Sequence, residues 1–62
     1  MAQYRCYFLD ALGHVISFVT IITATEALAC AEANNLWNAS PHHGVELWSG
    51  SQMIHHIVRA MV

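Results

Sequence analysis

The run Val-Ile-Ser-Phe-Val-Thr-Ile-Ile, residues 15–22, constrains the fold more than any other part of the sequence. Its β-branched content predicts a strand, and strand alternation places apolar side chains on both faces of it. The run is far shorter than the roughly 20 apolar residues that a membrane-spanning helix needs. Both faces of this strand are therefore apolar enough to be buried within protein.

The length of the chain limits how much of this surface one copy can cover. The sequence predicts one small domain, residues 1–62, and domains of this size bury only about 60% of the surface that the unfolded chain exposes. Apolar residues make up 56% of the chain and charged residues 10%, against usual fractions of ~45–50% and ~25%. We therefore expect apolar surface that a second copy covers, which predicts a homo-oligomer with a dimer favoured.

Charge and cysteine content argue against several classes of protein. The net charge is −2 with histidine neutral, and the two arginines, Arg5 and Arg59, cannot build the basic patch that nucleic-acid binding needs. The N-terminus lacks the basic and apolar regions of a signal peptide, so we expect a cytoplasmic protein with no membrane contact. Cys6 and Cys30 lack CxxC spacing and are expected to be buried free thiols. No cofactor is predicted.

The order of the predicted elements gives an α+β fold. Strands are predicted over residues 3–10, 15–22, 43–48 and 52–59, with a helix from residue 23 to about residue 38. Gly13 and Gly50 fall where hairpin turns are expected. A right-handed connection through the helix passes over the first strand. The prediction is a ββαββ fold: a four-stranded antiparallel sheet in the order 2-1-3-4, with one helix on one face.

The helix has a candidate start and a candidate contact stripe. Thr23 and Glu26 match a capping box, which predicts that the helix begins at Thr23. At helical spacing, the stripe expected to face the sheet is Ala24, Leu28 and Ala31. Trp37 lies nearly opposite Leu28 by the 3.6-residue period, so it either folds over the helix end or forms a second contact surface.

Four aromatic residues are candidates for binding or for an oligomer interface. They are Trp37, Trp48, Tyr7 and Phe18. Tryptophan brings a large apolar area with one N–H to satisfy, which is why interfaces favour it, although both tryptophans also fit the domain core. Glu46 points to the opposite face from Val45 and Leu47, and we expect it to pair with Arg5 across the sheet.

Two histidine pairs flank the last predicted hairpin, and His43, His55 and His56 are candidates for a metal site or a pH sensor. Either of two hairpin registers brings His43 near the last pair. Facing imidazoles suit Zn²⁺ or another borderline cation, with the remaining ligands supplied by a second subunit. Their protonation near physiological pH also predicts repulsion that loosens the hairpin. The plainest interpretation is half-exposed strand histidines.

Three segments carry a resemblance to known sequences. The three segments lie within residues 4–50 and read YRCYFLDALGHV, TEALACAEANNLW and GVELWSG. They resemble segments of a group of small uncharacterised bacterial proteins, mainly alphaproteobacterial. The resemblance implies a small α+β domain and carries no known activity, so it transfers no catalytic residue. The uncharged residues 21–23 and 53–56 depart from the group's more charged pattern, which favours an apolar interface.

The functional expectation is a small non-catalytic module that binds or has a structural role as a homo-oligomer, with an unknown protein partner left open. The alternative is a protein that binds a metal or small ligand through histidines near the 43–56 hairpin. Catalysis has little support, because Cys6 with a histidine, or Asp10 with His14, are only residue types near each other in sequence.

Overall fold

Four antiparallel strands and one helix build the structure, a computed structural model that describes residues 1–58. The elements are β1 (Ala2–Leu9), β2 (Val15–Thr23), α1 (Glu26–Asn38), β3 (Gly44–Ser49) and β4 (Gln52–Val58). The strands form one sheet in the order β2-β1-β3-β4, which confirms the predicted ββαββ fold and its strand order. The predicted end of the fourth strand at Arg59 lies outside the described residues.

The core lies between α1 and one face of the sheet. Strand alternation directs every second side chain of β1 toward the helix, and these side chains meet buried residues of both neighbouring strands. The buried cluster consists of Tyr4, Cys6, Phe8, Ile21, Ala29, Ala33, Val45 and Leu47. Ala29 and Ala33 are one helical turn apart and fully buried, so their small side chains let the helix backbone lie close to the strands.

The predicted contact stripe of the helix was wrong. Ala24 precedes the helix, Ala31 is exposed, and Leu28 remains 55% exposed. Alanines alternate with other residues from position 27 to position 33, so the sequence has no strong apolar period to indicate which side packs. Since Trp37 lies nearly opposite Leu28, it falls on the sheet side, where it packs against the core.

The helix also begins later than predicted. β2 continues to Thr23, which pairs with Ala2 of β1 and so remains in extended backbone. The N-cap is Thr25, whose φ of −135° and ψ of 157° are extended and whose hydroxyl oxygen accepts a 3.2 Å hydrogen bond from the Leu28 backbone N–H. Pairing with β1 thus overrides the capping-box pattern at Thr23.

Asp10 closes the β1–β2 turn. One carboxylate oxygen, Oδ1, accepts hydrogen bonds of 2.9 Å from the backbone N–H groups of both Leu12 and His14. Gly13 adopts a φ of 84°, which its lack of a side chain allows. The hydrogen bond from the His14 backbone is the main reason that the pKa of the Asp10 carboxyl lies below its ordinary value of 3.8.

Thr25→Ala should lower the free energy of unfolding by about 1 kcal/mol, because the Leu28 N–H loses its acceptor. Thr25→Ser retains the hydroxyl and should stay close to the wild type. Urea denaturation at one fixed protein concentration measures both variants, which keeps any self-association constant. If Thr23→Ala lowered the free energy of unfolding more than Thr25→Ala does, the result would contradict Thr25 as the N-cap and favour Thr23.

Asp10→Asn should remove a pH-dependent part of the stability. A carboxyl whose pKa is lower in the folded state stabilises the fold at pH values above its unfolded pKa, and the contribution is lost as the pH falls through the folded pKa. The stability gap between wild type and Asp10→Asn should therefore be present at pH 7 and should shrink below about pH 4. Thermal unfolding of both proteins between pH 7 and pH 2 measures the gap; a gap that does not change contradicts this role.

Candidate interaction surface

The face of the sheet opposite the helix carries the candidate functional surface, which we name the open face. Its side chains follow from strand alternation and from the three registers of strand pairing. They are Gln3, Arg5, Tyr7, Phe18, Thr20, Ile22, Glu46, Trp48, Met53 and His56. The helix packs on the other side of the sheet, so these side chains lack the cover that α1 gives to the core.

Several large apolar side chains on the open face are exposed. Phe18 is 53% exposed, Ile22 is 64% exposed and Met53 is 45% exposed. Phe18 pairs with Tyr7 and Met53 pairs with Trp48, and both of these partners are half-buried, whereas Ile22 has Gln3 and Thr20 beside it. A sheet face that exposes several large apolar residues is a candidate interaction site.

The aromatic residues of the open face contact one another and the neighbouring charges. The Tyr7 and Phe18 ring centroids are 5.9 Å apart with the rings tilted by 47°. The Arg5 guanidinium carbon lies 5.0 Å from the centroid of the Phe18 ring, a distance suited to a cation–π contact. The indole N–H of Trp48 donates a 3.1 Å hydrogen bond to Oε1 of Glu46.

Four residues on β1 and β3 form a square on the open face, which we name the central square. They are Arg5, Tyr7, Glu46 and Trp48. Arg5 pairs with Trp48, and Tyr7 pairs with Glu46, in the register of β1 and β3. The two charged residues therefore occupy one diagonal of the square and the two aromatic residues occupy the other. Diagonal neighbours in an antiparallel pair are about 7–8 Å apart.

The predicted Arg5–Glu46 ion pair is not formed. Within residues 1–58 the one contact of ion-pair length is between the His14 imidazole and the Asp10 carboxylate, at 3.7 Å. Arg5 instead lies over Phe18, and Glu46 accepts from Trp48. The register explains the difference, because it places Arg5 and Glu46 on a diagonal and not directly opposite each other.

Two shallow depressions flank Trp48 on this face. One, of about 350 Å³, lies on the Arg5 side and is lined by Arg5, Tyr7 and Trp48 among others. The other, of about 410 Å³, lies on the Glu46 side and is lined by Tyr7, Glu46 and Trp48 among others. Trp48 thus separates two hollows of similar size, one beside a cation and the other beside an anion.

The four aromatic candidates divide between the two faces of the sheet. Tyr7, Phe18 and Trp48 come together on the open face, and their role in an interface stays a prediction. Trp37 lies on the helix side, and its indole N–H reaches the carbonyl oxygen of His43 at 3.4 Å. The sequence analysis identified Arg5 and Glu46 as a pair of unlike charges but did not place them on the diagonal that crosses the one of Tyr7 and Trp48. Their positions in the alternation placed both on the aromatic side, but only the β1–β3 register sets the diagonal.

The histidines do not form the facing pair that the hairpin patterns suggested. A register shift between Leu47 and Trp48 places His56 opposite Glu46 and His55 opposite Leu47. Neighbouring strand residues point to opposite faces, so His56 lies exposed on the open face and His55 on the helix side. The predicted contact between His43 and His56 was therefore wrong. The hairpin turns at Gly50 and Ser51, with Ser49 opposite Gln52, and the extra residue in β4 moves the pairing by one further position.

The donor groups of residues 1–58 do not converge on a cation. No group of three or more His, Cys, Asp or Glu side chains in that range could hold a metal ion. The backbone N–H of His43 donates to the Leu9 carbonyl oxygen at 3.2 Å, which holds this residue at the end of β1. The Nε2 atom of His55 is buried and has no hydrogen-bond partner within the same residues.

Cys6 is not an activated thiol. It is fully buried, and burial raises the pKa of its thiol from 9.0 to about 11. Cys6 and the half-buried Cys30 are both free, as predicted. At neutral pH the Cys6 sulfur is protonated and contributes apolar volume to the core.

No known protein family, curated protein or solved structure matches this chain. The resemblance to small bacterial proteins therefore stays a prediction. No helix within residues 1–58 is long and apolar enough to cross a membrane.

Cys6 should react with iodoacetamide about 100-fold more slowly than an unperturbed thiol at pH 8, because a pKa raised by two units lowers the thiolate fraction by that factor. Mass spectrometry of the native protein should show labelling at Cys30, with Cys6 labelled only after urea unfolds the chain. Cys30→Ser isolates the Cys6 reaction. Rapid labelling of Cys6 in this folded variant would contradict its burial.

Proposed function

We propose that this chain is a small non-catalytic module that binds or has a structural role as a homo-oligomer, and that the open face is its interface, in a dimer. The observation that carries the proposal is the exposure of Phe18, Ile22 and Met53 around the half-buried Tyr7 and Trp48. One helix covers one face of the sheet, and a second copy supplies the cover for the other.

The energetics of burial support this reading. Full burial of a large apolar side chain stabilises by about 1.5–3 kcal/mol, so each half-exposed residue of the open face has roughly 1 kcal/mol to gain in a dimer. The sheet has four strands of six to nine residues, which give a face of about 20 by 25 Å. Stable dimers bury about 800 Å² on each partner, more than the roughly 500 Å² that these dimensions give, so such a dimer uses the whole open face and its edges.

The remaining parts of the proposal rest on composition and on the thiols. Two arginines in the whole chain support a module that does not bind nucleic acid. The free cysteines fit the reducing conditions of the cytoplasm, where we place the protein. The raised pKa of Cys6 supports a non-catalytic role, because a nucleophilic cysteine needs a lowered one. A further protein partner, if the dimer has one, then binds outside the open face.

Trp48→Ser should weaken the dimer at least about 30-fold, since a central tryptophan is the typical hot spot of an interface. Leu12→Ser is the matched control, because Leu12 is 80% exposed but lies in the β1–β2 turn, away from the open face. Native mass spectrometry across a concentration series measures the Kd, and far-UV circular dichroism verifies that both variants fold.

Ile22→Ser gives a second variant on the open face that leaves the Trp48–Glu46 hydrogen bond in place. It should weaken the dimer less than Trp48→Ser, because Ile22 lies on an edge strand. A wild-type protein that is monomeric at every concentration would overturn the proposal. An assembly that a chelator dissociates would favour the histidine metal site instead.

A further inference from the structure

We infer that two copies pack open face to open face about a two-fold axis that follows the Tyr7–Trp48 diagonal, so that Arg5 of each copy pairs with the partner's Glu46. The inference rests on the proposed function and adds the orientation and charge register of the dimer. The observation behind it is the placement of one cation and one anion at opposite corners of the central square.

Symmetry leaves few ways to superpose two copies of the square. When identical sheets pack face to face, the two-fold axis lies between them and parallel to both. Viewed along the normal to the sheets, the 180° rotation places each residue at its mirror position across the axis. Residues on the axis meet their own copies, and residues on either side exchange places. The choice of axis therefore decides which charges meet.

Electrostatics separates the candidate axes. An axis along the Arg5–Glu46 diagonal places Arg5 against the partner's Arg5 and Glu46 against the partner's Glu46. An axis along the strands, and equally one perpendicular to them, places both charges against aromatic rings and leaves them unpaired in a buried interface. The Tyr7–Trp48 diagonal brings unlike charges together twice and stacks aromatic residues between them, so it avoids the cost of an unpaired buried charge.

The charged groups of the monomer are free to make these contacts. Arg5 is exposed and forms no ion pair with residues 1–58, and its guanidinium already lies above the plane of the sheet over Phe18. Glu46 uses Oε1 to accept from Trp48, and no hydrogen bond within residues 1–58 occupies its other carboxylate oxygen. Oε2 is thus the acceptor for the partner's Arg5.

The axis also produces a known class of sheet packing. Strands lie about 4.8 Å apart and alternate residues about 6.8 Å apart along a strand, which sets the diagonal roughly 35° from the strand direction. Reflection doubles this angle, so the strands of the two copies cross at about 70°. This angle is close to the orthogonal class of packed sheets and far from the aligned class near 30°.

Charge exchange between two variants tests the axis. Arg5→Glu alone sets two acids against each other at both contacts, and Glu46→Arg alone sets two bases against each other. Each variant should dimerise at least 10-fold more weakly than the wild type. An equimolar mixture should form a heterodimer, because position 5 of one variant and position 46 of the other then carry unlike charges at both contacts.

Native mass spectrometry separates the heterodimer from each homodimer, because the two substitutions change the mass in opposite directions. The double variant Arg5→Glu with Glu46→Arg should recover the homodimer. Gln3→Glu is the matched control, since it adds an acid to the same strand and face outside the central square. Circular dichroism verifies folding of each variant.

The outcomes separate the two proposals. Single variants that dimerise like the wild type, or a mixture that stays monomeric while the wild type dimerises, overturn the axis and leave the open face as an interface. A monomeric wild type overturns both. Recovery in the mixture and in the double variant supports the reciprocal Arg5–Glu46 contact and the axis that creates it.

Discussion

The contact of one alanine-lined helix with one face of a four-stranded sheet is the constraint on which the rest of the structure depends. Ala29 and Ala33 are fully buried against the strands, and the close approach that they allow lets a helix of 13 residues cover the central strands. Residues 1–58 supply no second helix, so strand alternation divides the apolar residues into a covered set and an uncovered one. The core around Cys6 and the open face around Tyr7 are two results of the same alternation along β1. The interface proposed for this chain is thus a consequence of how its monomer folds.

Much of this fold could be predicted from sequence because the features involved are local or few. Alternation along β1 places Tyr4, Cys6 and Phe8 on one face and Arg5 and Tyr7 on the other, whichever strands lie beside β1. The right-handed rule for crossover connections leaves one simple path for the chain from β2 through the helix to β3. The helix contact was harder to predict, since evenly spread alanines give no apolar stripe and only the packed structure shows that Leu28 faces outward. The cap at Thr25 follows from the length of β2, which the pairing of Thr23 with Ala2 sets.

The candidate site was predictable in its members and not in its arrangement. Tyr7, Phe18 and Trp48 carry their own signal, because large aromatic residues at alternate strand positions are costly to leave in water. Which residues become neighbours depends on register, and register is a property of two strands. The position of the turn, which sets Ser49 opposite Gln52, and one extra residue in β4 together moved His56 from the predicted contact with His43 to a position opposite Glu46. The β1–β3 register likewise places Arg5 and Glu46 at diagonal positions, where the expected ion pair does not form.

A face held together by apolar contacts alone would dimerise in many orientations, because hydrophobic attraction has no direction. In this chain the charged residues are 10% of the sequence, so each fixed charge on the open face has an unusually large share in selecting one orientation. Arg5 and Glu46 would each be costly to bury alone, and that cost falls on every docked orientation except those that pair them. In the proposed dimer, the apolar residues supply most of the affinity and the two charges set the orientation. Such a dimer thus gives a role to a cation and an anion on the diagonal opposite the two aromatic residues of the central square.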